Sequence, residues 1–112
     1  MQPRTKLWVE RNGKIVLSDY RVRLLRLVDE TGSLADAAAA MHLSYRRAWG
    51  KVREIERNLG VKLVESEAGG AGGGGSRLTA DGRRLVELYE RFRTSVERDV
   101  SDEFLRTFRS RA

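Results

Sequence analysis

The sequence predicts a mainly α domain with an N-terminal hairpin, a small β wing and a long C-terminal helix. Three observations lead there. Asn12-Gly13 separates two short, partly apolar runs. Three stretches of helical apolar spacing each follow a serine, and the first and third of these end at Gly32 and Gly60. Six glycines crowd residues 69–75 between two strand-like segments, and a long helical pattern follows them. The chain has 112 residues, the size of one domain. Its 40% hydrophobic content is that of a globular chain and not a disordered one.

Residues 6–17 read KLWVERNGKIVL. Asn-Gly supplies the two positive φ angles of a type I′ turn most readily, so a hairpin is expected there. Ser18 precedes a helix over 19–31, in which Val22, Leu24, Leu25 and Val28 form one face and Gly32 stops the helix. Ser33 and Asp36 have capping-box spacing at the head of a second helix, 34–41. That helix carries five alanines, which favour helix and permit close packing. Ser44 caps a third helix, Tyr45 to Leu59. Its Ala48, Val52, Ile55 and Leu59 recur at steps of four, three and four, leaving the other face exposed.

Lys62 to Ser66 reads as a short strand and Ser76 to Thr79 as its return. Thr79 then caps a helix through about 109, with Leu85, Leu88, Phe92 and Val96 as its apolar stripe and a break near Ser101 left open. About 30 residues at roughly 1.5 Å each outreach a small core, so this stripe calls for a partner helix.

The order hairpin, helix, helix, tight turn, helix, strand, glycine loop, strand is that of a winged helix-turn-helix with a long C-terminal dimerisation helix. Such a fold needs a third helix that is apolar behind and cationic in front. Arg46, Arg47, Lys51, Arg53 and Arg57 oppose only Glu54 and Glu56, and residues 44–53 contain no acid. Ser44, Tyr45, Arg46 and Arg47 occupy the first turn, the part that enters a major groove. An Arg fork there binds guanine bidentately, worth about 1–3 kcal/mol of discrimination. Lys51 and Arg53 lie later and suit phosphates; Arg57 is too far along. The glycine loop reads either as a plain linker or as a wing tip along the DNA backbone, with Arg77 as a donor. A phosphate-binding loop would need Lys-Ser/Thr directly after the glycines, whereas Ser76-Arg77-Leu78-Thr79 follows.

The charge balance agrees: 22 Lys+Arg against 16 Asp+Glu give +6, and residues 44–59 hold +3 of it. A polyanion is the first partner to consider. The absence of cysteine excludes disulfides, thiolate zinc sites and a Cys nucleophile. His42, the one histidine, sits in the turn between the second and third helices, where positive φ is often needed. Ser44 and Thr79 act as caps with no base nearby, and Glu54 and Glu56 point apart on their helix. Trp49 reads as packing, and Tyr20, Tyr89 and the three Phe as core or dimer contacts. No catalytic or metal site and no cofactor is expected. No charge-free stretch is long or apolar enough to span a bilayer, and Met1 to Arg11 lack an apolar signal core, so a cytoplasmic protein is expected.

The segment Ser44-Tyr45-Arg46-Arg47-Ala48-Trp49 resembles the S-Y-[KR]-x-A-W signature of the recognition helix in the ModE family, the bacterial molybdate-responsive regulators. Gly69 to Gly75, followed two residues later by Leu78-Thr79, is similar to that family's G-G-x-G-G-G-G wing with its L-T. The step Gly60-Val61-x-Leu63 resembles the wider LysR type. The resemblance implies a winged helix that dimerises through flanking helices and binds operator DNA, with Ser44, Tyr45, Arg46 and Arg47 facing the duplex and Arg77 after them. His42 departs from it, since relatives commonly have Gly there. Two-domain members bind molybdate in a separate C-terminal domain, so molybdate is not expected to bind here, whether the chain is a single-domain member or a DNA-binding fragment.

The expectation is therefore a homodimeric, sequence-specific double-stranded DNA-binding transcription regulator and not an enzyme. Residues 1–79 form the DNA-binding unit and 80–112 its dimerisation helix. The rivals are an architectural DNA-binding protein of low sequence specificity and a basic protein-interaction module.

Overall fold

A computed structural model describes residues 1–66 and 75–109. Strands β1 (Trp8–Arg11) and β2 (Lys14–Ser18) lead into helices α1 (Asp19–Thr31), α2 (Leu34–Ala40) and α3 (Tyr45–Leu59). Strands β3 (Val64–Ser66) and β4 (Ser76–Leu78) follow, then helix α4 (Ala80–Phe108). Winged helix-turn-helix architecture is the result, and the glycine loop tip at 67–74 lies outside the described residues.

Each boundary has a local cause. Asn12 and Gly13 adopt φ 54° and 77°, the positive pair that an I′ turn requires. β1 and β2 pair antiparallel with a bulge, Val9 opposite Leu17 but Glu10 opposite Ile15. The unopposed Val16 and its neighbour Leu17 are thereby both buried, which a regular pleat would forbid. The side chains of Ser18, Ser33, Ser44 and Thr79 each accept a backbone N–H three residues on, capping the four helices in turn. Ser33 is only half of a capping box: its own N–H donates to Thr31 Oγ1 at 3.3 Å, so Thr31 takes the part expected of Asp36.

The turn between α2 and α3 closes as a Schellman motif. His42 stands at φ 57°, its N–H donating to Ala39 O, while Leu43 N–H donates to Ala38 O at 2.9 Å. The positive φ expected of His42 is present, and α2 ends with its alanine run at Ala40, one residue short of the expected 34–41.

The core joins Val22, Leu24, Leu25 and Val28 of α1 to Leu34, Ala37 and Ala38 of α2 and to Ala48, Val52 and Ile55 of α3. Leu63, Val64 and Leu78 close it from the wing, and Val86 and Tyr89 from α4. The predicted strand from Lys62 shortens to three residues because the Lys62 and Leu63 carbonyls are engaged elsewhere. They accept from Thr79 Oγ1 at 2.7 Å and Thr79 N–H at 2.9 Å. This junction is so close that a Cβ on Gly82 would stand 2.4 Å from Leu63 O, so any larger residue there would force the backbone apart.

α4 runs unbroken through Ser101 for 29 residues, about 43 Å. Its inward line is Gly82, Val86 and Tyr89, distinct from the apolar stripe expected to meet a partner helix. Leu85 half-packs against the core, whereas Leu88 and Phe92 are 41% and 48% exposed. Polar ties also hold α4 to the body, among them Arg83 to Asp29 of α1 at 3.6 Å. Arg26 of α1 pairs with Glu90, and Arg93 reaches Asp19 at 3.1 Å and Thr5 Oγ1 at 3.1 Å. Tyr89 donates its hydroxyl to Asp19 Oδ1. Burial pushes the Tyr89 phenol far above its ordinary range, and the bond to the Asp19 carboxylate pushes it further.

Candidate nucleic-acid interface

The site begins with the position of α3. Its apolar line, Ala48, Val52 and Ile55, is fully buried against α1 and α2, so its orientation is fixed by packing. Both ends are tied down. At the N-terminus the Ser44 hydroxyl accepts the Arg47 N–H at 3.2 Å. At the C-terminus Gly60 turns left-handed at φ 74°, and Arg11 of the hairpin donates to Leu59 O at 2.8 Å. That cation on the last carbonyls also suits the helix dipole.

The two acids of α3 are both committed to the protein. Glu54 pairs with Arg21 of α1 at 3.2 Å. Glu56 accepts the backbone N–H groups of Leu63 and Val64 at 2.8 and 3.2 Å, tying the start of β3 to α3. The cations divide. Lys51 Nζ lies 5.2 Å over the Tyr20 ring, and the Arg53 guanidinium lies 5.3 Å over Trp49, which stands edge-on to Tyr45 at 6.3 Å. Arg46 and Arg47 are exposed and make no ion pair among the described residues. Tyr45 is 52% exposed beside them.

Ser44, Tyr45, Arg46 and Arg47 thus share one exposed helical turn, with Arg53 one to two turns further along. Lys51 is half-buried and turned toward α1 by Tyr20. Arg77 sits on β4, exposed, with its Nε 2.9 Å from Glu65 Oε1 across the hairpin. The sequence marks Arg77 as a donor but gives no sign that Glu65 lies opposite it in register. Trp49 is half-buried against the core, in keeping with the packing role expected of it.

The wing is joined to the helices at a second point. Ser76 N–H donates to Gly32 O at 3.0 Å, and a Cβ on Gly75 would come within 2.9 Å of that same carbonyl. Sequence reasoning missed three devices here: Arg11 on α3, Glu56 on β3, and the Gly75–Gly32 approach. All act through polar or backbone atoms, for which hydropathy carries no signal, and two of them join residues more than 40 apart in the chain. Chemically, the surface is a rigid cationic helix start beside a β-hairpin. No group of three or more potential metal-ligating side chains occurs among the described residues. No described helix is long and apolar enough to cross a membrane.

Comparison with known proteins agrees with this geometry. Residues 20–83 match the family described as "Bacterial regulatory helix-turn-helix protein, lysR family". Among curated relatives, the transcriptional regulator ModE of Yersinia pestis is 33% identical over 90 residues, covering 80% of this chain and 34% of that protein. The DNA-binding transcriptional dual regulator ModE of Escherichia coli K12 is 34% identical over the same shares of the two chains. The molybdenum transport protein ModE of Azotobacter vinelandii is 42% identical over 73 residues, 65% of this chain and 27% of that one. The chain therefore spans about a third of the length of the curated relatives it matches. Among solved structures, full-length CbnR complexed with its target DNA gives a TM-score of 0.62 at 25% identity, over 80% of this chain and 29% of that one. The CbnR DNA-binding domain in complex with DNA gives 0.61 at 24% identity, over 81% and 99%, a likeness of fold. The chain belongs to the lysR family of bacterial regulatory helix-turn-helix proteins, and its relatives are DNA-binding transcription regulators of the ModE type rather than enzymes.

Proposed function

We propose that this chain is the DNA-reading part of a homodimeric transcription regulator that binds a specific, roughly palindromic duplex site in the bacterial cytoplasm. The observation that carries the reading is the first turn of α3: Arg46 and Arg47 are exposed, have no ion pair among the described residues, and stand on a helix fixed from behind. In this reading Arg46 and Arg47 reach base edges in the major groove, with Ser44 and Tyr45 beside them. Arg53 and Lys51 serve the phosphates after leaving their aromatic partners. Arg77 follows the backbone from the wing, exchanging Glu65 for phosphate. Residues 1–79 form the DNA-binding unit and 80–112 the dimerisation helix, with Leu85, Leu88, Phe92 and Val96 at the contact. Two such α3 helices in one dimer enter successive major grooves about 34 Å apart. No cofactor and no molybdate site is assigned to these residues.

The test is a duplex-binding assay with a site chosen by in vitro selection, titrated with salt. Affinity is expected to fall steeply, linearly in log–log form. Replacing Arg46 and Arg47 by Ala is expected to cost specific binding about 1–3 kcal/mol for each base pair no longer read. Stability should change by no more than about 0.5 kcal/mol for each exposed replacement. Arg77→Ala should instead weaken all sequences alike and lower the salt slope by about 1. Unchanged affinity in the double variant defeats the assignment of α3.

A further inference from the structure

One position on α3 is unexplained by the fold. Gly50 lies in the interior of a 15-residue helix, where glycine is the poorest former after proline. Neither of the usual reasons for an obligatory glycine applies. Its backbone is helical, without the positive φ found at Gly13, Gly32 and Gly60. Its missing Cβ is not required by a neighbour either, since an atom placed there would meet nothing within 4 Å. The contrast within this chain is sharp: at Gly82 the same atom would meet the Leu63 carbonyl at 2.4 Å, and at Gly75 the Gly32 carbonyl at 2.9 Å. Those glycines serve the protein's own packing, and Gly50 does not.

Its surroundings say what it faces. Ala48, Val52 and Ile55 define the buried side of α3, and Gly50 is exposed on the opposite side. Arg46 precedes it by one turn, Arg53 follows by three residues and Arg57 by seven, so the four share the outward line at helical spacing. The two large side chains adjoining it in sequence are turned away. Trp49 packs toward the core under Arg53, and Lys51 lies over Tyr20. The centre of the cationic face is therefore bare helix backbone, with the exposed Arg46 one turn before it and the exposed Arg53 one turn after.

We infer that Gly50 is the point of closest approach between α3 and the duplex, where the absent side chain lets the helix axis sit deeper in the major groove. This deepens the DNA-binding reading and rests on it. A glycine at a close backbone approach to a ligand is what an exposed, sterically free helical glycine between two cations provides. The depth it permits sets how far the Arg46 fork reaches toward the base edges while Arg53 meets the phosphates, so Gly50 acts as a positioning residue for base contact.

The experiment compares the full chain with Gly50→Ala and Gly50→Leu, using a selected duplex and a random duplex at equal length and fixed salt. Both variants are expected to fold, with helix content at least that of the parent and a higher thermal midpoint for Gly50→Ala, because alanine is the better helix former. Affinity for the selected duplex should fall severalfold for Gly50→Ala and at least tenfold for Gly50→Leu, while affinity for random duplex changes much less. A gain in thermal midpoint combined with a loss of selective binding is the signature, since a merely structural glycine would lose both together. Selected-site affinity unchanged in a folded Gly50→Ala variant overturns the inference even if the leucine variant does not fold. The two levels of the reading fail separately. If the parent chain binds no duplex at low salt, the DNA assignment itself falls. If the parent binds and Gly50→Ala binds equally well, only the role of Gly50 does.

Discussion

The carboxylate of Glu56, in the last turn of α3, accepts the backbone N–H of Leu63 at 2.8 Å. The same oxygen takes the N–H of Val64 at 3.2 Å. Two donors at the mouth of a three-residue strand, too short to satisfy itself, are thus held by the helix that carries Arg46 and Arg47. Glu56→Ala removes the acceptor from backbone donors on two fully buried residues and is expected to destabilise the fold by about 1–3 kcal/mol. Glu56→Gln, which keeps one oxygen, should lose less. Denaturant midpoints measure the difference, and amide exchange at Leu63 and Val64 should quicken before the rest of the core.

Gly82 tests the junction at the other end of the wing. Alanine there improves helix propensity by about 1 kcal/mol. Its methyl, however, would press on Leu63 O from 2.4 Å. Overpacking of this kind typically costs about 1–3 kcal/mol, so Gly82→Ala should lower the thermal midpoint despite the better helix former.

The exposed apolar side of α4 is tested by charge. Leu88→Glu and Phe92→Glu touch residues that are 41% and 48% exposed, so each monomer should stay folded with little change in helical signal at high concentration. Sedimentation is expected to give a dimer for the parent chain and a monomer for the double variant. Duplex affinity should fall with it, because one α3 then binds in place of two. A parent chain that sediments as a concentration-independent monomer would refute the assignment.

Tyr89 supplies an alkaline prediction with a definite sign. Its phenol is raised above the ordinary value by burial first and by the Asp19 carboxylate second. The protonated form is therefore favoured by folding. Its stabilising contribution is complete below the unfolded value near pH 10 and is lost as the pH rises beyond it toward the folded value. Urea midpoints at pH 8 and pH 11 should fall further for the parent chain than for Tyr89→Phe. At pH 8 the phenylalanine variant should be the less stable one, through loss of the Asp19 bond.

Those elements whose causes lie within three or four residues were legible from the sequence. Ser18, Ser33, Ser44 and Thr79 cap the helices they were expected to cap, and Asn12, Gly13 and His42 take the positive φ expected of them. The buried side of α3 was equally legible, since Ala48, Val52 and Ile55 recur at strict spacing. On α4 the stripe expected to meet a partner helix is a different line from the one that enters the core. Leu85, Leu88, Phe92 and Val96 form the more regular apolar run, but the core takes Gly82, Val86 and Tyr89. Glycine has no hydropathy to announce it, and what makes it necessary is the carbonyl of Leu63, on the far side of the wing. For Arg77, the decisive partner Glu65 is set by strand register across the loop, a relation that spacing along one element does not reveal.

The burial of α4 has a further consequence. One continuous helix by geometry is two segments by energetics. Up to Tyr89 it is stabilised by the core, and Arg93 extends that support through Asp19 and Thr5. Its last turns hold chiefly to themselves, through the Glu103–Arg106 pair and the Phe104–Phe108 contact. The anchored part already supplies the helix nucleus, so these turns form by propagation alone, in which each added bond returns little. The distal turns are therefore expected to exchange their amides before the rest of α4, and under the proposed dimer their protection should rise with chain concentration, which hydrogen exchange at two concentrations measures.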